Sequence, residues 1–365
     1  MPKLGITRYR VYAGLSPFLG FFASLFVLLL IVIAVGESPV SAFSAIVRMS
    51  MGTAGRLATV FSLSIPLFLS GLAVAVAFQA GVFNIGAEGQ YFVGGLVGAL
   101  AGIYLRLPPV LHIPTVVICS MIGGALWALV PAVLKTTKGV HEVITTIMFN
   151  NIALALVNYL VNNPLSGVGE TSLEAQTRRI QPTALFGKLN SFFRTLGWKV
   201  PDHVYLDYSL VVALIMGVAV WLFIFRMRYG FEVRAVGTST DVSAHAGIRV
   251  KRVQLTAFLI SGGLAGLIGL QEIFAIRGFY SYEIASGLGF DGIAIALIGR
   301  NSPLGVAFAA ILFAVLRQSG YGLQLYTSVP NSVIYVISGL MILFIVVINE
   351  VVSRYVRALL KKEAA

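Results

Sequence analysis

The chain repeatedly runs for about twenty residues without a charged side chain. Residues 58–80 contain none in 23 positions, and a helix of that length crosses the hydrocarbon core of a bilayer. Lipid offers the backbone no hydrogen-bonding partner, so a chain built from such runs must form helices. Runs of this kind lie at 16–36, 58–80, 90–107, 113–134, 143–161, 209–225, 254–274, 284–299, 304–316 and 333–349. They predict an all-α, polytopic membrane protein with about ten transmembrane helices. Runs 284–299 and 304–316 are short, so eight or nine spans also fit. The first run is too long for the apolar core of a secretory leader and has no A-x-A-like cleavage site, so it is read as a first span.

Composition excludes the main alternatives. Only 11% of residues are charged and 58% are hydrophobic, whereas a soluble domain carries about 25% charged residues. This much apolar surface cannot stay solvated as a disordered chain. The lone Cys119 rules out a disulfide scaffold. The net charge of +12 is read as an orientation and lipid signal, not a nucleic-acid footprint. With ten spans, sixteen of the 26 basic residues fall on one side of the membrane. Setting aside the long segment 162–208 leaves five on the other. That bias predicts cytoplasmic N- and C-termini. It makes 162–208 an extracytoplasmic loop and 226–253 a basic cytoplasmic loop, in which residues 240–246 are expected to form a short amphipathic helix. The whole chain, 1–365, is read as one transmembrane domain.

No soluble catalytic signature is present, and the chain is not expected to be an enzyme. Gly287-Leu-Gly-Phe-Asp-Gly292 matches G-x-G-x-x-G, but it follows no strand and lies in an apolar run, so it reads as glycine packing. The four histidines, His112, His141, His203 and His245, are scattered, which argues against a metal site. Gly94, Gly98 and Gly102, with Gly262 and Gly266, form small-residue faces that let helices approach closely. Gly86-Ala-Glu-Gly89 recurs as Gly289-Phe-Asp-Gly292. In the ten-span scheme the two are reached from opposite sides, which predicts an inverted repeat of spans 2–5 and 7–10.

An ionisable group within a span is costly and usually faces the protein interior or a water-filled path. Asp291 and then Glu272 are the leading candidates. Glu88 and Glu142 sit at helix starts, where a carboxylate also complements the helix dipole, so capping and transport roles both stand. Asn84, Gln90, Asn150, Asn151 and Asn158 could line a path for a polar, uncharged solute or bond one helix to another. So few mid-span charges argue against a proton- or sodium-driven carrier, which would place the energy source outside this chain.

Phe83-Asn-Ile-Gly-Ala-Glu-Gly-Gln-Tyr91 resembles the permease subunits of bacterial ABC importers in the branched-chain amino acid and simple-sugar permease superfamily. Glu142-Val-Ile-Thr-Thr-Ile-Met-Phe-Asn-Asn151 and Phe290-Asp-Gly-Ile-Ala-Ile-Ala-Leu-Ile-Gly-Arg-Asn-Ser-Pro-Leu-Gly305 are similar to its nucleoside, or simple-sugar, branch. Residues 235–248 and Ser261-Gly-Gly-Leu-Ala-Gly-Leu-Ile-Gly269 resemble the family's cytoplasmic loop and following helix. Thr238 and Ser243-Ala244 depart mildly from the usual Asn and Ala-Ala, and His245 is less expected.

The resemblance implies a permease in the bacterial plasma (inner) membrane that moves nucleosides or related sugars by alternating access. A ribose-type sugar or a branched-chain amino acid is the alternative solute, and a stand-alone secondary carrier is the competing class. It further implies no cofactor in this chain, with ATP and Mg held by a separate cytoplasmic ABC ATPase. The other partners would be a second permease subunit, in this branch usually a different chain, an extracytoplasmic solute-binding protein and the lipid bilayer. Asn84, Glu88, Gln90, Asn150, Asn151, Glu272, Phe290 and Asp291 would line or shape the path. Arg234, Gly237, Thr240, Asp241, Ala244, Gly247 and Ile248 would couple to the ATPase.

Overall fold

The computed structural model describes residues 36–167, 175–198, 200–281, 284 and 287–326, with isolated positions within 19–33 and 336–355. Runs 16–36 and 333–349 are described only in part, so whether each is one continuous span lies outside the described residues. The described chain is helical, with three isolated β-bridges. It divides into two compact units, one combining Met1–Leu57 with Leu312–Ala365 and the other formed by Ala58–Ile311.

In the first unit, helix α1 (Pro39–Met51) starts on a proline and ends at Gly52. Sequence patterning assigned no helix there, because Arg48 keeps it from reading as a span. The Ser50 and Ser319 hydroxyls hydrogen-bond at 3.1 Å within this unit. The remaining helices are α2 (Ala54–Gln79), α3 (Ala87–Tyr104), α4 (Pro109–Lys138), α5 (Glu142–Asn162), the short α6 (Asn190–Thr195), α7 (Tyr208–Arg226), α8 (Arg228–Thr238), α9 (Thr240–His245), α10 (Val250–Ala265), α11 (Leu288–Ile298) and α12 (Pro303–Tyr326). Among the described residues, α2, α4, α5, α7 and the Pro303–Gly320 part of α12 are long and apolar enough to cross a membrane.

The local sequence accounts for the helix ends. Helix α4 opens with Pro109 at its first position, where a missing N–H costs nothing. It closes on Gly139 in the left-handed conformation, whose N–H returns to the Lys135 carbonyl. Lys135 and Lys138 in its last turn complement the negative end of the helix dipole. Helix α7 is capped by Asp207, whose side chain accepts the Ser209 N–H at 2.8 Å.

The glycine faces work as packing surfaces. A Cβ on Gly94 would sit 2.4 Å from the Gly266 Cα, and one on Gly124 would sit 2.2 Å from the Gly262 carbonyl oxygen. Helices α3, α4 and α10 therefore touch backbone to backbone, which no larger residue permits.

Three runs fold differently from their apolar pattern. Run 254–274 is interrupted: α10 stops at Ala265, and helical structure resumes as a π-helix over Gln271–Arg277. The break falls among the glycines that press onto α3 and α4. Run 284–299 yields only the eleven residues of α11, about 16 Å of helix against a core of about 30 Å. Run 304–316 is the reverse case, because α12 continues to Tyr326. Arg317 ends the apolar run there but is a good helix former.

Both long loops are ordered over their described residues. Segment 226–253 consists of α8, α9 and the start of α10, and α9 is the short helix expected at 240–246. Segment 162–208 is fastened by backbone bonds from Gln181 to Gly102, Ile180 to Gly278 and Phe186 to Phe274, at 2.9–3.0 Å. Val200, Val204 and Leu206 bury against Ala58, with Phe61, Phe193 and Trp198 around them.

Candidate functional site

The first N–H groups of a helix have no partner within it, and both α3 and the short α11 begin without a side-chain cap of their own. Other segments complete them. Asn150, on α5, accepts the Gly89 N–H at 2.9 Å and donates to the Ile85 carbonyl at 3.0 Å. Asn84 and Gln90 pair through both amide groups, at 2.7 and 2.9 Å, and Asn84 also donates to the Ser261 hydroxyl at 2.8 Å. The Ser261 hydroxyl in turn donates to the Ala73 carbonyl at 2.6 Å. Asn84 and Gln90 are each 1% exposed, so their polar groups are spent on holding α2, α3 and α10 together.

Glu88 lies in the first turn of α3 but serves α11. Its carboxylate accepts the Gly287 N–H and, at 2.7 Å, the Gly289 N–H. A Cβ on Gly289 would come within 2.4 Å of the Glu88 nitrogen, so the starts of the two helices touch. At the first residue of α11 the Ser70 hydroxyl donates to the Leu288 carbonyl at 2.7 Å. The two recurring G-x-acid-G fragments thus meet in space.

The other predicted path residues are not part of this cluster. Phe290 is 41% exposed and Asp291 is half-buried on α11. Glu272 pairs with Arg277 on the π-helix. Asn151 is exposed, one position round α5 from the buried Asn150. Glu142, at the start of α5, pairs with Lys135 at 2.7 Å and so ties α5 to α4.

The predicted coupling residues split into anchored and exposed groups. Arg234 donates to the Ile224 carbonyl at 2.6 Å and stacks 5.3 Å from the Phe225 ring centroid, fastening α8 to the end of α7. A Cβ on Gly237 would sit 2.2 Å from the Gln79 carbonyl oxygen, so α8 rests on the end of α2. Thr240, Asp241 and Ala244 are exposed on α9, with Val242 69% exposed among them. Gly247 has φ +81° and turns the chain back toward α10, and the half-buried Ile248 returns its N–H to the Ser243 carbonyl.

Ser70 escaped the sequence reading and Ser261 entered it only as the first residue of the Ser261–Gly269 motif, although a signal for both was there. Ser70-Gly71-Leu72-Ala73 on α2 recurs as Ser261-Gly262-Gly263-Leu264-Ala265 on α10.

A family model described as branched-chain amino acid transport system, permease component, matches residues 56–346. The chain belongs to that family. It is 36% identical to a guanosine ABC transporter permease protein of Bacillus subtilis, over 92% of this chain and 93% of the relative. A glucose ABC transporter permease protein of Haloferax volcanii is 33% identical, over 97% and 92%. A nucleoside ABC transporter permease protein of Lactococcus lactis is 32% identical, over 92% and 92%. No solved structure matches. The chain is thus a multi-pass membrane permease of the ABC class, in which ATP hydrolysis belongs to a separate subunit.

Proposed function

We propose that this permease forms half of the path by which a nucleoside, or a related simple sugar, enters a bacterial cell across the plasma membrane. The observation that carries this reading is the near full-length likeness to permeases named for guanosine, nucleosides and glucose. These solutes share a ring rich in hydroxyl groups and carry no net charge. Neutral amides suit such a solute. Asn151, Asn158 and Asn162 lie on the exposed side of α5, a helix long and apolar enough to span the bilayer. Exposed amides at membrane depth are costly against lipid, which supports turning this side toward the path and a second permease subunit.

Both termini are cytoplasmic in this reading, and the ten spans form an inverted repeat. Two recurrences support the repeat, G-x-acid-G at 86–89 and 289–292 and the serine-glycine-leucine-alanine element of α2 and α10. The exposed α9, with Thr240, Asp241, Val242 and Ala244, docks into the ATPase. Gly237 and Arg234 join that dock to α2 and α7, so motion of the ATPase reaches the spans through packed backbone. Closure of the ATPase on ATP then switches the permease pair between outward- and inward-facing states. An extracytoplasmic binding protein delivers the solute and supplies most of the selectivity.

The test is uptake of labelled guanosine into liposomes holding the permease pair and ATPase, with the binding protein outside and ATP inside. ATP-dependent uptake is expected. Uptake by this chain alone, without ATP, would assign it to the secondary carriers instead.

A further inference from the structure

We infer that Glu88, Ser70 and Ser261 form a reciprocal latch that joins the starts of α3 and α11 into one pivot, and that these residues set the turnover of transport without touching the solute. The transport half rests on the proposed function; the latch rests on geometry alone.

The reciprocity is visible bond by bond. Ser70, on α2, donates to the Leu288 carbonyl at the start of α11. Ser261, in the recurring element on α10, accepts from Asn84, which lies three residues before α3 and accepts the N–H of its N-cap, Gly86. Each serine therefore sits on one recurring element and binds the start of the helix that follows the other. Glu88 supplies the direct link between the two starts, because it belongs to α3 and neutralises the free N–H groups of α11. A carboxylate at a helix N-terminus gains both charge-assisted hydrogen bonds and the favourable dipole. Neither helix start has a side-chain cap of its own: α11 is completed by Glu88 of α3, and α3 by Asn150 of α5 and by Asn84, which Ser261 holds in place.

Glycine makes the junction possible. A Cβ on Gly292 would meet the Ser70 hydroxyl at 2.2 Å, and one on Gly289 would meet the Glu88 backbone at 2.4 Å. Glu88 is 4% exposed, and Ser70 and Ser261 are fully buried. No solute fits between groups already at hydrogen-bonding distance. The latch holds the two helix starts in register while surfaces beyond it, such as Phe290 at 41% exposure, remain available to a passing molecule.

The experiment compares wild type, Glu88→Gln, Ser70→Ala and Ser261→Ala in the reconstituted complex, measuring guanosine uptake, uridine uptake and ATP hydrolysis together. The latch predicts that Glu88→Gln lowers the maximum uptake about tenfold or more. Uptake of both solutes falls by the same factor, and more ATP is spent per solute moved. Unequal factors for the two solutes would make Glu88 a solute contact and overturn the inference, as would unchanged uptake in all three variants.

A second measurement is independent of transport: thermal unfolding of the purified permease carrying Glu88→Gln, Ser70→Ala or both. Because both residues hold the start of α11, the double variant is expected to lose less than the sum of the singles. Additive losses would overturn the latch. If Glu88→Gln cannot be purified, the same cycle with Ser70→Ala and Ser261→Ala decides, because Ser70 holds the start of α11 and Ser261 that of α3, and a latch that joins the two makes their losses non-additive. Non-additive unfolding with no wild-type uptake of either solute would retain the latch and refute the transport reading.

Discussion

The Glu88 carboxylate accepts the Gly289 amide at 2.7 Å, although the two residues are 201 positions apart in the chain. That bond requires the α11 backbone to reach Glu88 with no side chain intervening. Gly289→Ala would place a Cβ 2.4 Å from the Glu88 nitrogen and 2.7 Å from its Cα. Backbone cannot yield as a flexible side chain would, so the helix starts must separate. A loss of about 1–3 kcal/mol or more is expected, read as a lower melting temperature in detergent. Gly139→Ala is the control: its φ of +68° is unfavourable, but nothing lies within 4 Å, so it should cost only about 1–2 kcal/mol.

Arg234 and Asp241 should separate stability from coupling. Arg234→Ala removes the donor to the Ile224 carbonyl and the contact with the Phe225 ring. About 1–3 kcal/mol of stability should be lost, and Arg234→Lys should restore only part of it, since an ammonium lacks the planar stacking surface. Asp241→Arg changes an exposed position on α9. It should leave the melting temperature unchanged and abolish ATP-driven uptake. Undiminished uptake would remove α9 from the coupling surface.

The Lys135–Glu142 pair joins the end of α4 to the start of α5 at 2.7 Å. Glu142 also accepts the Phe83 N–H. Glu142→Gln leaves a half-buried ammonium without its counter-charge, and a loss of about 1–3 kcal/mol is expected. Adding Lys135→Met should recover part of that loss, because the uncompensated charge is then gone. Thermal unfolding of the single and double variants checks the order.

Asp207 gives the chain a pH dependence of definite sign. It is fully buried, and burial raises its carboxyl above the ordinary carboxylate range, outweighing the Ser209 and Gln271 hydrogen bonds that lower it. The folded chain then holds the proton more tightly than the unfolded chain does. That stabilisation is complete below the unfolded value of about 3.9 and is lost as pH rises through the raised folded value. Asp207→Asn keeps an oxygen to accept the Ser209 N–H but cannot ionise. Between pH 4 and neutrality, wild type should therefore lose melting temperature relative to Asp207→Asn. Parallel curves would count against the assignment.

What could be read in advance depended on how far each interaction reaches along the chain. The apolar runs marked the spanning helices α2, α4, α5 and α7, because crossing a bilayer constrains about twenty consecutive residues and leaves a continuous mark. Helix α9 was legible for a similar local reason. The interruption of run 254–274 at Gly266 was not, since it arises where α10 meets α3 and α4. The length of α12 was also hidden, because hydropathy stops at Arg317 while helix propensity does not.

By itself the sequence determined helical class, family and most of the residues worth watching, including the paired G-x-acid-G fragments. Only the tertiary structure decided what those residues touch. Glu88 stood open between capping and transport, and in the fold it caps a helix, but the distant α11 in place of its own α3. Asn84 and Gln90 could have lined a path or bonded helices, and in the fold they bond to each other and to Ser261. The physical reason is common to all three. A buried polar group must find a partner, and the sequence names the group without naming the distant segment that packing brings beside it.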